Sequence, residues 1–184
     1  LPASYCRVLV TLLVFTLGNS ADAFLLLRLS DAGVPAVGIP LLWAALHVVK
    51  AGLSMWGGLK SDRWGRRRVI AAGWAIYALV YAGFAVASSA STLVLWFLVY
   101  GAYYGLTEGA EKALIADLAP PTLHATAFGI YHGAIGLGGL LASVVFGLVW
   151  KAVGPACAFS LGAGLSLLAT GLLFLLVEEP QRRV

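Results

Sequence analysis

The chain has 184 residues, of which 61% are hydrophobic and only 11% charged, with a formal net charge of +4. A soluble domain carries about 25% charged residues, so a soluble enzyme, a disordered chain and a disulfide scaffold are excluded, and the composition is that of an integral membrane protein. The basic residues sit mostly at the edges of apolar runs, where they orient membrane helices, and nucleic acid is not an expected partner.

Six apolar runs are long enough to cross a bilayer core, which takes about 20 helical residues. They cover residues 8–27, 36–59, 69–87, 93–116, 125–150 and 156–177 of a single transmembrane bundle. The segments do not alternate in polarity as barrel strands do. In the first span Phe15, Gly18, Asn19, Asp22 and Leu26 recur at helical spacing and share a face. Asp22 falls about 20 Å along from Val8, in the outer part of the core. A carboxylate there binds a proton or a cationic substrate group, or pairs with Asn19 for packing alone. The first reading is preferred, because an ionisable residue inside the membrane is costly without a role.

Ser30-Asp31-Ala32-Gly33 marks the next turn, and the second span then sets Trp43, His47 and Lys50 on one face. His47 can shuttle protons near neutrality or serve packing through a hydrogen bond; Lys50 is expected to neutralise a buried carboxylate. The fourth span presents Tyr100, Tyr104, Thr107, Glu108 and Glu111 together. Two tyrosines leading to a carboxylate suit a cationic or amphiphilic solute. Glu108 is therefore the second candidate for proton or substrate binding, whereas Glu111 and Lys112 are expected to form a structural ion pair. Pro120-Pro121 separates the fourth span from the fifth, where Gly129 and Gly133 form a GxxxG pair for close helix packing. The sixth span, after Gly154-Pro155, has no acidic or basic residue.

An even number of spans puts both termini on one side, together with Arg7, Lys60, Arg63, Arg66, Arg67, Arg68, Arg182 and Arg183. Arg28 and Lys151 fall on the other side. This asymmetry predicts cytoplasmic termini, in a cell inner (plasma) membrane. Cys6 and Cys157 fall on opposite faces and are too far apart to bridge. Since the only methionine is Met55, the chain is expected to be a segment of something longer.

After the second span, residues 58–68 read Gly58-Leu59-Lys60-Ser61-Asp62-Arg63-Trp64-Gly65-Arg66-Arg67-Arg68. This loop resembles the signature of the major facilitator superfamily: glycine, three residues, Asp-Arg, one residue, glycine, then a basic cluster. The stretch from Thr16 to Arg28 is similar to the seventh helix of bacterial members, and that from Tyr104 to Asp117 to their tenth. The resemblance implies an all-α fold that is one six-helix half of a twelve-span transporter, the carboxyl-terminal one. It also implies that Asp62 meets the amino end of the fifth span near Ala125. Arg63 and Arg66 would pair with Glu111 or Asp117, and the set Gly58, Asp62, Arg63, Gly65, Arg66, Glu111 and Asp117 would latch one transport state.

The expected function is secondary transport of a small cationic or neutral amphiphilic solute by alternating access, coupled to protons. Asp22 and Glu108 are its central groups, with Asn19, Tyr100, Tyr104, Thr107, His47 and Lys50 around them. Half a transporter would expose a polar face to lipid. Its expected partners are thus membrane lipids, the small-molecule substrate and a second six-helix half, either another copy in a parallel homodimer or a separate amino-terminal half. The alternative is a non-transporting membrane subunit that stabilises another protein. No metal-ligand spacing, cofactor motif or nucleophile–base arrangement is present, so no metal, no cofactor and no enzymatic activity are expected.

Overall fold

A computed structural model describes residues 1–178, which form helices and no strand. Arg182 and Arg183, counted above toward the topology, lie outside the described residues. Helix α1 runs over Ala3–Gly18, α2 over Ala23–Asp31, α3 over Gly38–Trp64 and α4 over Arg66–Val86. Helix α5 covers Ala90–Leu118, a 3₁₀ turn Pro121–Leu123 leads into α6 at His124–Val153, and α7 spans Pro155–Leu176. Counting α1 and α2 as one, six helical segments are long and apolar enough to cross a membrane.

Local chemistry explains the joints. Gly65, between α3 and α4, has φ 98° and ψ 146°, and Gly154, between α6 and α7, has φ 95° and ψ 169°. These conformations are open to glycine and strained for any L side chain. Pro155 then starts α7 at a position where its missing N–H costs nothing. The Ser89 hydroxyl oxygen accepts the Thr92 N–H and caps α5.

The most enclosed span is α4, with 61% of its apolar stretch buried. Trp74, Tyr77, Tyr81 and Phe84 recur along it at three- and four-residue spacing and are all fully buried. Phe15 of α1 stacks on Trp74 at 4.6 Å, Tyr77 stacks on Tyr81 at 4.1 Å, and Phe159 of α7 meets Tyr81 edge-on at 5.2 Å. Serine and threonine hydroxyls inside this core are satisfied internally, as an apolar environment demands. Ser166 donates to the Trp74 carbonyl at 2.9 Å, and Thr11, Thr16 and Thr107 donate back to carbonyls one turn earlier.

Glycines set two close helix crossings. A Cβ on Gly162 of α7 would stand 2.7 Å from the Gly18 carbonyl oxygen of α1, and one on Gly57 of α3 would stand 2.4 Å from that of Gly105 in α5. Elsewhere α3 and α6 are poorly covered, with 6% and 17% of their apolar stretches buried within the chain. Two broad faces of the bundle thus have no partner among the described residues.

The sequence suggested an uninterrupted first span. Instead the helix stops at Gly18 and restarts at Ala23. Asn19, Ser20 and Asp22 have short polar side chains that compete with the helical ladder, and neighbouring helices take up the freed groups.

Candidate functional site

The interruption in the first span organises the site. The Tyr77 hydroxyl of α4 donates to the Gly18 carbonyl at 2.9 Å, and the Tyr81 hydroxyl shares a 3.2 Å hydrogen bond with Ser20. Asn19 donates its amide to the Tyr103 hydroxyl of α5 at 3.2 Å, and the Ala21 N–H donates to Ser143 of α6 at 3.1 Å. Residues 19–22 are thus held open by side chains from three helices.

Asp22 emerges at the end of this segment. Its carboxylate accepts from Tyr100 at 2.7 Å and from Tyr104 at 3.2 Å to each oxygen. No lysine or arginine among the described residues lies within ion-pair distance of it. Beside it opens a crevice of about 380 Å³, lined by Asn19, Ser20, Ala21 and Asp22, by Tyr104, and by Gly139, Leu140 and Ser143 of α6. A carboxylate held only by neutral hydroxyls at the edge of a crevice can take up a proton or a cationic group without first displacing a fixed cation.

Tyr104 connects Asp22 to a second cluster. Lys50 of α3 places its ammonium 4.5 Å from the centre of the Tyr104 ring and 2.7 Å from Glu108 Oε2. Lys112 takes the other oxygen, Oε1, at 3.0 Å. Glu108 is therefore occupied on both sides by lysines, and Lys50 finds the carboxylate that the sequence did not identify.

Other anticipated site residues are placed differently. Thr107 is buried and donates to the Tyr103 carbonyl at 3.0 Å, so it lies at the α4–α5 contact, away from Asp22. His47 is exposed and bonds through Nδ1 to the Trp43 carbonyl at 2.8 Å. Glu111 forms neither the expected pair with Lys112 nor one with Arg66: its Oε1 accepts from Trp74 Nε1 at 2.9 Å. One turn along α5, Glu108 is better placed to meet Lys112, and Glu111 is turned toward α4.

At the signature loop Arg66 bonds to Asp62, to the Ser61 hydroxyl at 3.1 Å and to Asp117 at 3.2 Å. Asp62 is thereby engaged by a guanidinium one turn on, where the resemblance implied the amino end of the fifth span. The expected link to Asp117 is present through Arg66. Gly58 has open space beside it, and Gly65 makes the turn. Arg67 donates to the Val177 carbonyl past the end of α7 at 2.7 Å.

Sequence reasoning missed Tyr77, Tyr81, Tyr103, Ser20 and Ser143. The available signal was five tyrosines in two adjacent spans, each with a hydroxyl that needs a partner in an apolar interior. No group of three or more His, Cys, Asp or Glu among the described residues is arranged to hold a metal ion.

Comparison with known proteins agrees with this architecture. An MFS-type transporter of Methanocaldococcus jannaschii is 34% identical over 170 residues, covering 89% of this chain and 42% of that protein. The quinolone resistance protein NorA of Staphylococcus aureus is 27% identical over 154 residues, covering 84% of this chain and 39% of its own length. The crystal structure of the POT family transporter PepTSo superposes with a TM-score of 0.78 at 16% identity, over 100% of this chain and 40% of that one. The chain thus spans about two-fifths of the length of each of these proteins. The family model for the Major Facilitator Superfamily matches residues 8–184, and with six membrane-crossing helices in the matching fold the chain belongs to that superfamily.

Proposed function

We propose that this chain is the carboxyl-terminal half of a secondary transporter that moves a small cationic or neutral amphiphilic solute by alternating access, coupled to protons. The observation that carries the reading is Asp22: a carboxylate in a break of a membrane helix, bonded to two tyrosine hydroxyls, with no fixed cation, and open to a crevice. A buried charge without a permanent partner is expensive, and reversible neutralisation by a proton or solute gives it a use. Tyr100 and Tyr104 hold the carboxylate and offer ring faces to a cation. Asn19 shapes the crevice wall, and Lys50 with Glu108 forms its charged rim.

Glu108 has a positioning role in this scheme, since two lysines saturate its oxygens. The bond between Arg66 and Asp117 supports a latch role for the signature loop, joining the α3–α4 turn to the end of α5. The uncovered faces of α3 and α6 support a second six-helix half, supplied by an amino-terminal half or by another copy of this chain. The basic residues at the α3–α4 turn, among them Lys60, Arg63, Arg66, Arg67 and Arg68, support cytoplasmic termini and an inner-membrane location. The similarity to NorA, a quinolone resistance protein, supports a small-molecule solute.

The test is transport by the full-length protein in proteoliposomes under an imposed pH gradient, comparing wild type with Asp22→Asn. The variant is expected to fold and to lose gradient-driven transport along with its pH dependence. Wild-type rates with unchanged pH dependence would remove Asp22 from the mechanism.

A further inference from the structure

The transport reading leaves one carboxyl group at membrane depth without a task. Glu111 stands on α5 beyond Tyr104, about 10 Å further toward the α3–α4 turn at 1.5 Å per residue. Its Oε1 accepts from the Trp74 indole N–H of α4 at 2.9 Å, and that indole is fully buried against the Phe15 ring. Tyr131 of α6, itself buried, is the other hydrogen-bonding neighbour of the carboxyl group. Three helices thus meet at this side chain.

No fixed cation balances it. Among the described residues no lysine or arginine lies within ion-pair distance of Glu111. On its own helix the neighbouring charges are Glu108 and Lys112, which pair with each other at 3.0 Å, and Tyr103 accepts from Asn19 through its hydroxyl. Lys50 of α3 is bound to Glu108. On α4 the Arg66 guanidinium holds Asp62 and Asp117, Arg67 donates to the Val177 carbonyl, and Arg68 is exposed. On α6 the exposed His132 ring rests against Tyr131 at 4.8 Å, and His124 is bonded to the Ala119 carbonyl. Tyr5 of α1 donates to the Ala127 carbonyl.

We propose that Glu111 is a second proton-binding group of this chain, seated between Trp74 of α4 and Tyr131 of α6. Its use in transport rests on the proton-coupled reading above; its binding of a proton does not. A charge here gives up hydration and receives only neutral donors in return, which favours the uncharged form. The carboxylate takes one proton from hydronium, an O–H bond forms, and water is left. The same neighbours serve both forms. The indole N–H donates to Oε1 in either, while the other oxygen accepts from the Tyr131 phenol when ionised and donates to it when protonated. Glu108, one turn away, differs because two lysines fix its charge. Asp22 and Glu111 then lie at successive depths beside α5, and the chain can carry two protons in a cycle.

The site is tested by infrared difference spectroscopy on the full-length protein in lipid bilayers, which reads the carbonyl stretch of protonated carboxyl groups as pH is varied. Wild type, Glu111→Gln, Asp22→Asn and Trp74→Phe are compared. A protonated band is expected to persist at about pH 7, where a hydrated glutamate is ionised. One component of it should be lost in Glu111→Gln, which keeps an acceptor for the indole, and retained in Asp22→Asn. Trp74→Phe removes a donor that serves the ionised form better than the neutral one, so the proton affinity of that component should rise roughly fivefold. Identical spectra from wild type and Glu111→Gln at about pH 7 overturn the proposal, including the case in which the transporter's other half supplies a cation. So does a titration that Trp74→Phe leaves unmoved. Unchanged transport in Asp22→Asn would refute the transport reading instead and leave the Glu111 component in place.

Discussion

Gly57→Ala isolates the contact that holds α3 to the bundle. Along its apolar stretch α3 is covered by the chain over only 6%, and Gly57 is among its few buried residues. The added Cβ would stand 2.4 Å from the Gly105 carbonyl oxygen, 3.0 Å from Leu106 Cα and 3.2 Å from the Gly105 carbonyl carbon. All three are backbone atoms of α5, so no side chain can rotate away. Ordinary contact returns only if α3 moves outward by about 1 Å, and overpacking of this kind costs about 1–3 kcal/mol. Exchanging glycine for alanine inside a helix returns about 0.5–1 kcal/mol, so the midpoints of the two ranges leave a net loss of about 1 kcal/mol. For a chain of this length that corresponds to a fall in Tm of roughly 2–4 °C. Thermal unfolding in mild detergent, followed by tryptophan fluorescence, reads the shift. Gly52→Ala provides the control on the same helix, since its Cβ meets nothing within 4 Å, and should leave Tm unchanged or slightly raised. Equal Tm values for the two variants would refute the close crossing.

Two further substitutions probe the turn and the charged rim. Gly65→Ala forces a side chain into φ 98°, ψ 146°, and is expected to cost about 1–3 kcal/mol; Gly58→Ala, seven residues earlier in open space, should be near neutral in the same unfolding assay. Matching values would mean the turn tolerates a side chain. Lys50→Gln removes a bridge between α3 and α5 and frees the Tyr104 ring, whereas Lys112→Gln removes only a contact within one helix. With both lysines partly exposed, the expected losses are about 1 kcal/mol and about 0.3–0.5 kcal/mol, and a larger loss from Lys112→Gln would contradict the bridging role.

Much of the architecture was legible because lipid imposes simple rules. Continuous apolar runs marked the spans, and the glycines and prolines between them marked the turns. The spacing of residues 58–68 pointed to the superfamily before any fold was known. Helical periodicity also put Tyr100 and Tyr104 on one face, and in the structure both hydroxyls meet Asp22. Periodicity failed where the helix itself stops: residues 19–22 keep the helical register of the span although Asn19, Ser20 and Asp22 are polar, and the interruption is sustained by the tyrosines of α4 and α5 together with Ser143 of α6. It also failed within one turn of α5, where Thr107, Glu108 and Glu111 point to three different environments. Whether a carboxylate meets a lysine or an indole depends on which helix lies alongside, and one sequence does not encode that adjacency openly.

Ser143 ties the rim of α6 to the Ala21 amide. If α6 slides outward by little more than the width of one water molecule, that N–H loses its acceptor, and an orphaned amide inside hydrocarbon is hydrated as soon as solvent can reach it. Separation of α6 from the broken helix therefore hands the Ala21 amide to the crevice, one residue from the Asp22 carboxylate.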